Sequence, residues 1–259
     1  HILNIANEIK AAFCFAMTYV FLGIGNSGGD IAVELSRHTP QVFLSTRRGA
    51  WVLSRMGKGG EPMDQQFIRR VGSLVPISLR RSLFKKIVNE RFDHKVFALQ
   101  PQHPITGQHP MVNDALPHRI IVGSVVIKPN VRSFTKSGVI FDDDTQVNDL
   151  DAVIFCTGYK IGFRFIDQSI LPVNDNKVEL YKYVFPPNLA KPTLAVIGCV
   201  QPLGAIFPLS ELQGRWVTRV FNGKTPLPPK DFMMKDVEMK REAMQRRYYA
   251  SKRHTIQVK

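Results

Sequence analysis

The feature that most narrows the fold is the octapeptide Gly23-Ile24-Gly25-Asn26-Ser27-Gly28-Gly29-Asp30, set between two segments of opposite periodicity. Before it, residues 17–23 form an aromatic and β-branched run that stops at a glycine, as a buried parallel strand does. After it, Ile31, Ala32 and Leu35 share one face of a helix predicted over residues 30–38, with Pro40 as the stop. Residues 41–46 are again β-rich, so the segment 17–46 predicts a β-turn-α-β unit with a right-handed crossover. In that setting each glycine has a use: Gly23 permits the tight turn, Gly25 lets backbone approach a pyrophosphate, and Gly28 lets helix and strand pack closely. The unpaired N–H groups from Ser27 to Asp30, at the positive end of the helix dipole, then face the anion. Asn26 and Gly29 complete the candidate cradle.

The second strand tells which dinucleotide is expected. An NAD site places a carboxylate about 20 residues beyond the glycines to accept the ribose 2′-hydroxyl. Here the strand ends in Ser45-Thr46-Arg47-Arg48. A guanidinium pairs bidentately with a 2′-phosphate, so Thr46, Arg47 and Arg48 join the candidate site and NADPH is favoured over NADH.

The rest of the chain is read more coarsely. Helix is predicted over residues 78–97, an irregular stretch over 101–117, and strands over 119–126 and 139–141. The acidic run Asp142-Asp143-Asp144-Thr145 is expected to turn a hairpin into a strand at 152–155. Beyond Tyr159 prolines punctuate shorter segments, with a strand expected at 194–197 and a helix at 210–222. The run Thr225-Pro226-Leu227-Pro228-Pro229 reads as a stiff linker. Asp231 is placed to cap a last helix with Met233, Val237, Met244 and Tyr248 along one side. The implied organisation is an unmatched segment 1–16, a nucleotide-binding domain 17–158, a second region 159–225, and a linker with a helix 226–259.

Several separate motifs resemble one family, the flavin-containing monooxygenases of the microsomal, dimethylaniline N-oxide-forming type. They are the octapeptide with Ile31-Ala32, Ser45-Thr46-Arg47-Arg48-Gly49, Val112-Asn113-Asp114-Ala115-Leu116-Pro117, Phe155-Cys156-Thr157-Gly158-Tyr159, Val200-Gln201-Pro202-Leu203-Gly204-Ala205 and Glu211-Leu212-Gln213-Gly214-Arg215-Trp216. The resemblance implies an α/β fold: a Rossmann-like nicotinamide-binding domain followed by the C-terminal part of a flavin-binding domain. It implies FAD and NADPH as cofactors, molecular oxygen and a small-molecule amine or sulfide as reactants, and no nucleic acid. The flavin does the difficult chemistry in this family, so no catalytic side chain is nominated. The family's earlier flavin fingerprint has no counterpart in this sequence, and the chain alone is expected not to turn over. Cys156 stands where the family usually has alanine, a small apolar exchange expected to be absorbed by packing. The family's setting is the endoplasmic reticulum membrane, reached through a hydrophobic C-terminal anchor that is not in this chain.

Other chemistries are set against this reading. A formal charge of +14 and a pI near 9.9 suit any anionic partner, and Arg246-Arg247-Tyr248-Tyr249 mixes cations with aromatics. No nucleic-acid reading motif accompanies them. A noncatalytic NADP-binding relic is the other alternative. His103, His109, His118 and Asp114 fit no closed zinc spacing, and Asp142 to Asp144 lack the alternation of a calcium loop. No metal is expected. The three cysteines do not close a disulfide framework, and residues 11–22 fall short of the roughly 20 that span a bilayer.

Overall fold

The computed structural model describes residues 17–67, 75–202, 204–249, 251 and 255–257. The segment 1–16, Arg69–Arg70 and Leu203 lie outside the described residues. The chain divides into two compact units, 1–157 and 158–259.

In the first unit the strand β1 (Tyr19–Leu22) leads through the glycine turn into the helix α1 (Asn26–Leu35) and back to β2 (Val42–Ser45). Then come β3 (Val52–Leu53), a 3-10 turn at Lys58–Gly60, the helices α2 (Met63–Phe67) and α3 (Ile77–Arg91), β4 (Met111–Val112), α4 (Leu116–Ile121) and β5 (Val125–Lys128). A meander of β6 (Val131–Phe134), β7 (Val139–Phe141) and β8 (Gln146–Val147) precedes β9 (Ala152–Phe155). The main sheet has the order β5-β2-β1-β9 and every pairing in it is parallel. The two-residue alternation of a strand divides its side chains between two cores. Tyr19, Phe21, Val42 and Leu44 point to the face covered by α1 and α4, in a cluster with Ala32, Leu35 and Leu116. Val20 points the other way, to Val139, Phe141 and Val147 of the antiparallel meander. Burial on both faces is why β1 reads as a continuous apolar run rather than an alternating one.

The β-turn-α-β prediction holds, with a shifted helix start. α1 begins at Asn26 and not at Asp30. Ser27, Gly28 and Gly29 are helical but carry no apolar side chain, so a hydrophobic period cannot see them. The expected strand over 119–126 is corrected: Leu116–Ile121 is helical and only Val125–Lys128 pairs with β2. The β-branched residues Ile120 and Ile121 suggested a strand, but Pro117 suits a first helical turn. The Asn113 Oδ1 also accepts the Ala115 and Leu116 N–H groups, at 2.9 and 2.7 Å. The stretch 101–117 is not wholly irregular, since it holds β4 and the start of α4. The acidic turn leads into β8, while β9 leaves the meander and joins β1. Helix α3 stops at Arg91, earlier than predicted, where Phe92 turns extended.

The second unit holds the short hairpin β10 (Val173–Asn174) and β11 (Lys177–Val178), then α5 (Phe207–Phe221) and α6 (Lys230–Arg247). Its core joins Tyr181, Val184, Phe185, Val217, Val220 and Met233, with the Trp216 ring edge-on to Phe185 at 4.9 Å. The predicted helix at 210–222 starts three residues earlier, with Pro208 in its first turn. No ladder forms at 194–197; Val196 makes a single backbone bond to the Val184 carbonyl. Asp231 sits in the first turn of α6 without capping it, the N-cap being Pro229. Met233, Val237 and Tyr248 are buried as the stripe requires. Asp236 on the same helix is buried and accepts from Lys182 Nζ at 2.7 Å and Lys240 Nζ at 2.5 Å. Burial alone would raise this carboxyl, but the two ammonium donors outweigh it and hold it below the usual carboxylate range.

Candidate dinucleotide site

The site is built at the C-terminal edge of the parallel sheet, beside β1, where the strand order reverses between β2 and β9. Gly23 donates its N–H to the Ser45 carbonyl at 3.0 Å, which ties the turn to β2. Its φ of +107° is a conformation that L side chains avoid, and a Cβ there would stand 2.7 Å from the Cys156 carbonyl oxygen. Gly28 is closed off more tightly still: a Cβ would lie 2.1 Å from the Gly23 carbonyl oxygen and 3.2 Å from Cys156 Cβ. Gly25 is the opposite case, with no atom within 4 Å of the position a side chain would take. So one glycine brings helix against strand and the other leaves the backbone bare toward open space.

Gly25 is the N-cap of α1 in an extended conformation, and no side chain caps the helix. The first intrahelical bond in this turn runs from the Gly29 N–H to the Gly25 carbonyl at 3.0 Å. The amides of Asn26, Ser27 and Gly28 therefore come before any intrahelical acceptor, as at every helix start. With no acidic residue in the first turn, the partial positive charge there is not offset locally. A pyrophosphate fits this cradle on the structure's own terms: bare backbone at Gly25, donors beyond it and a dipole of the right sign.

Two of the fingerprint's side chains are engaged elsewhere. Asn26 Oδ1 accepts the Val112 N–H at 2.8 Å, and Asp30 Oδ1 accepts from Asn113 Nδ2 at 2.7 Å. Gly29 packs on the same segment, since a Cβ there would fall 1.6 Å from the Met111 methyl. The sequence marks Val112 to Pro117 as a motif but assigns it no chemistry. Only the fold brings it against α1.

Thr46, Arg47 and Arg48 follow β2 directly, and the register Leu22↔Ser45 puts their strand end beside the glycine turn. The Thr46 N–H bonds the Lys128 carbonyl at 2.9 Å, and the Arg48 carbonyl accepts the Gln102 N–H at 2.9 Å. Both arginines are exposed on this pinned backbone. Two cations thus stand at the C-terminal edge of the sheet, beside the glycine turn.

The other candidates are occupied locally. Asp114 accepts from Ser54 Oγ and from the Arg55 N–H at 3.0 Å. Asp143 accepts from the Thr145 N–H at 3.1 Å and from its hydroxyl at 2.6 Å, so the acidic run builds its own turn. Among the described residues no three His, Cys, Asp or Glu side chains gather as a metal site. Arg246 pairs with Glu242 at 2.9 Å and Arg247 lies over the Tyr248 ring at 5.1 Å. Cys156 is half-buried against the first core, and burial pushes its thiol up, away from the reactive thiolate.

Comparison with known proteins follows the same lines. A flavin-binding monooxygenase-like family model matches residues 7–259. The chain is 52% identical to flavin-containing monooxygenase 5 of Rattus norvegicus over 242 residues, covering 92% of this chain and 45% of that protein. It is 46% identical to dimethylaniline monooxygenase 2 (N-oxide-forming) of the same species over 225 residues, covering 85% and 42%. The chain thus spans less than half the length of these relatives. Among solved structures, S-allyl-L-cysteine S-oxygenase from Allium sativum shares the fold with a TM-score of 0.58 at 24% identity, over 94% of this chain and 41% of that one. NADP+-bound cyclohexanone monooxygenase from Rhodococcus sp. Phi1 does so with a TM-score of 0.56 at 13% identity, over 91% and 59%. With its glycine cradle, its parallel sheet and a family match over nearly all of its length, the chain belongs to the flavin-binding monooxygenase-like family.

Proposed function

We propose that the protein is an NADPH- and FAD-dependent monooxygenase acting on soft nucleophilic nitrogen or sulfur atoms of small molecules, and that its first unit is the NADPH-binding domain. The observation that carries the reading is the contrast between Gly28, shut against backbone, and Gly25, open to space at an uncapped helix start. In this reading Gly23, Gly25 and Gly28 shape the turn, and the amides at Asn26, Ser27 and Gly28 hold the pyrophosphate. Gly29 and Asp30 seat the helix, while Thr46, Arg47 and Arg48 receive the 2′-phosphate. FAD, reduced by the nicotinamide, supplies the oxygen chemistry when bound. The residues of this chain bind and orient, and none is assigned a proton-transfer role. Residues 159–225 are read as the C-terminal part of the flavin domain and 226–259 as linker and helix. An endoplasmic reticulum location is carried over from the family. No helix among the described residues is long and apolar enough to cross a membrane.

The test is coenzyme choice. In the double variant Arg47→Ala/Arg48→Ala, the preference for NADP+ over NAD+ in calorimetric titration is expected to fall about 30-fold, the equivalent of about 2 kcal/mol for lost charge-assisted bonds to a phosphate. Preference unchanged from the parent removes the arginines from the site.

A further inference from the structure

We propose that Asn113 is a positioning residue for the dinucleotide site, a clasp that keeps the fingerprint's own acceptor oxygens off the amides that receive the phosphates. This deepens the assignment of residues 23–30 as the pyrophosphate cradle and rests on it. Asn113 is 5% exposed and uses both ends of its amide. Oδ1 accepts the Ala115 and Leu116 N–H groups at 2.9 and 2.7 Å, and Nδ2 donates to Asp30 Oδ1 at 2.7 Å. Two backbone donors on one side and a carboxylate on the other leave a single orientation for the group, oxygen toward α4 and NH2 toward α1. Its backbone is held as well, the Asn113 N–H donating to the Leu53 carbonyl at 3.0 Å. One residue earlier, the Val112 N–H occupies Asn26 Oδ1 at 2.8 Å.

The consequence lies in what Asn26 and Asp30 would otherwise do. Short polar side chains near a helix start compete for its unpaired amides, and a carboxylate close to a bound phosphate repels it. Asn26 begins the helix and Asp30 lies one turn on, so both are near the amides of Asn26, Ser27 and Gly28. With Asn26 Oδ1 and the Oδ1 of Asp30 held by residues 112–113, both side chains are tied to that segment and those amides stay available to the anion. Aspartate at 113 would still accept from Ala115 and Leu116 but would face Asp30 with a second carboxylate. Serine there could not reach both partners.

Calorimetric titration of this chain with NADP+, with thermal unfolding run alongside, tests the clasp. Asn113→Asp is expected to weaken NADP+ at least 10-fold at pH 8 and to regain affinity as the pH is lowered and the two carboxyls share a proton. The reciprocal variant Asp30→Asn/Asn113→Asp restores a donor against an acceptor, now with the amide on α1, and is expected to bind within threefold of the parent. A reduced affinity in Asn113→Asp that neither responds to pH nor recovers in the reciprocal variant, at parental thermal stability, overturns the proposal. So does parental affinity in Asn113→Asp, and in that case the cradle assignment stands without the clasp. Absence of NADP+ binding by the parent chain removes the cradle and the clasp together. Should Asn113→Asp fail to fold, the reciprocal variant decides alone: affinity within threefold supports the clasp and a 10-fold loss overturns it.

Discussion

Alanine at position 28 is expected to abolish NADP+ binding and to lower the stability of the first unit by about 3 kcal/mol, the upper range for forcing a methyl into a packed site. The new Cβ would stand 2.1 Å from a backbone oxygen of Gly23, which cannot swing aside as a side chain end can. Gly23 itself is held by its bond to Ser45 and by a positive φ that few residues adopt. Relief therefore requires α1 to lift from β1, and the amides of the helix start move with it. Alanine at Gly25 makes the informative contrast. That position is open and has a φ of −96°, so stability should change by less than about 0.5 kcal/mol, as for an unencumbered surface site. Its methyl would nevertheless cover the bare backbone proposed to receive the phosphates, and affinity should fall. Urea unfolding read beside NADP+ titration separates the two effects. Equal stability of Gly28→Ala and the parent would falsify the packing role.

Acidification is expected to cost the first unit about 3 kcal/mol between pH 6.5 and pH 4 through one side chain, at about 1.4 kcal/mol for each tenfold difference in proton affinity between the folded and unfolded chain. His94 is fully buried. Its Nε2 accepts the Val52 N–H at 2.9 Å, so the ring proton is on Nδ1, which donates to Asn89 Oδ1 at 2.9 Å. Trp51 and Phe92 flank the ring, each with its centroid 4.9 Å away. Burial lowers its pKa from 6.5 to about 4, because a second proton would put charge in an apolar site and set N–H against N–H. The sign follows from linkage. Below pH 6.5 the unfolded chain takes up a proton that the folded chain refuses until about pH 4, so the full contribution is present above pH 6.5 and is lost on descent. In His94→Gln the slope of stability across that window should shrink by this amount, while stability at pH 7 falls by about 2 kcal/mol from disturbed buried hydrogen bonds. A slope identical to the parent's would show that His94 is not the group responsible. The strand whose Val52 N–H binds His94 pairs with β4, and the residues that hold Asn26 and Asp30 begin in β4.

Much of the fold around the candidate site was legible in the residues because its physics is local. A glycine spacing, a β-branched run before it and an amphipathic helix after it are each written within a few positions, and they specify the turn and the elements on either side of it. The parts that misled were those where local preference and long-range pairing disagree. Ile120 and Ile121 look like strand, yet Pro117 and a side chain three residues before the helix make that turn helical. Residues 152–155 follow a hairpin turn in sequence, yet the free edge of β1 takes them as a parallel partner. By itself, then, the sequence determined that this chain makes a β-turn-α-β unit of the flavin-binding monooxygenase-like family, since a glycine spacing, a strand run and a helix period are each local features of the residues. The tertiary structure alone decided which remote groups come together: the packing of Met111 on Gly29, the burial of a neutral His94 against Val52 and the hold of Asn113 on Asp30 are contacts between residues far apart in the chain, and no period or propensity encodes which distant atoms will meet.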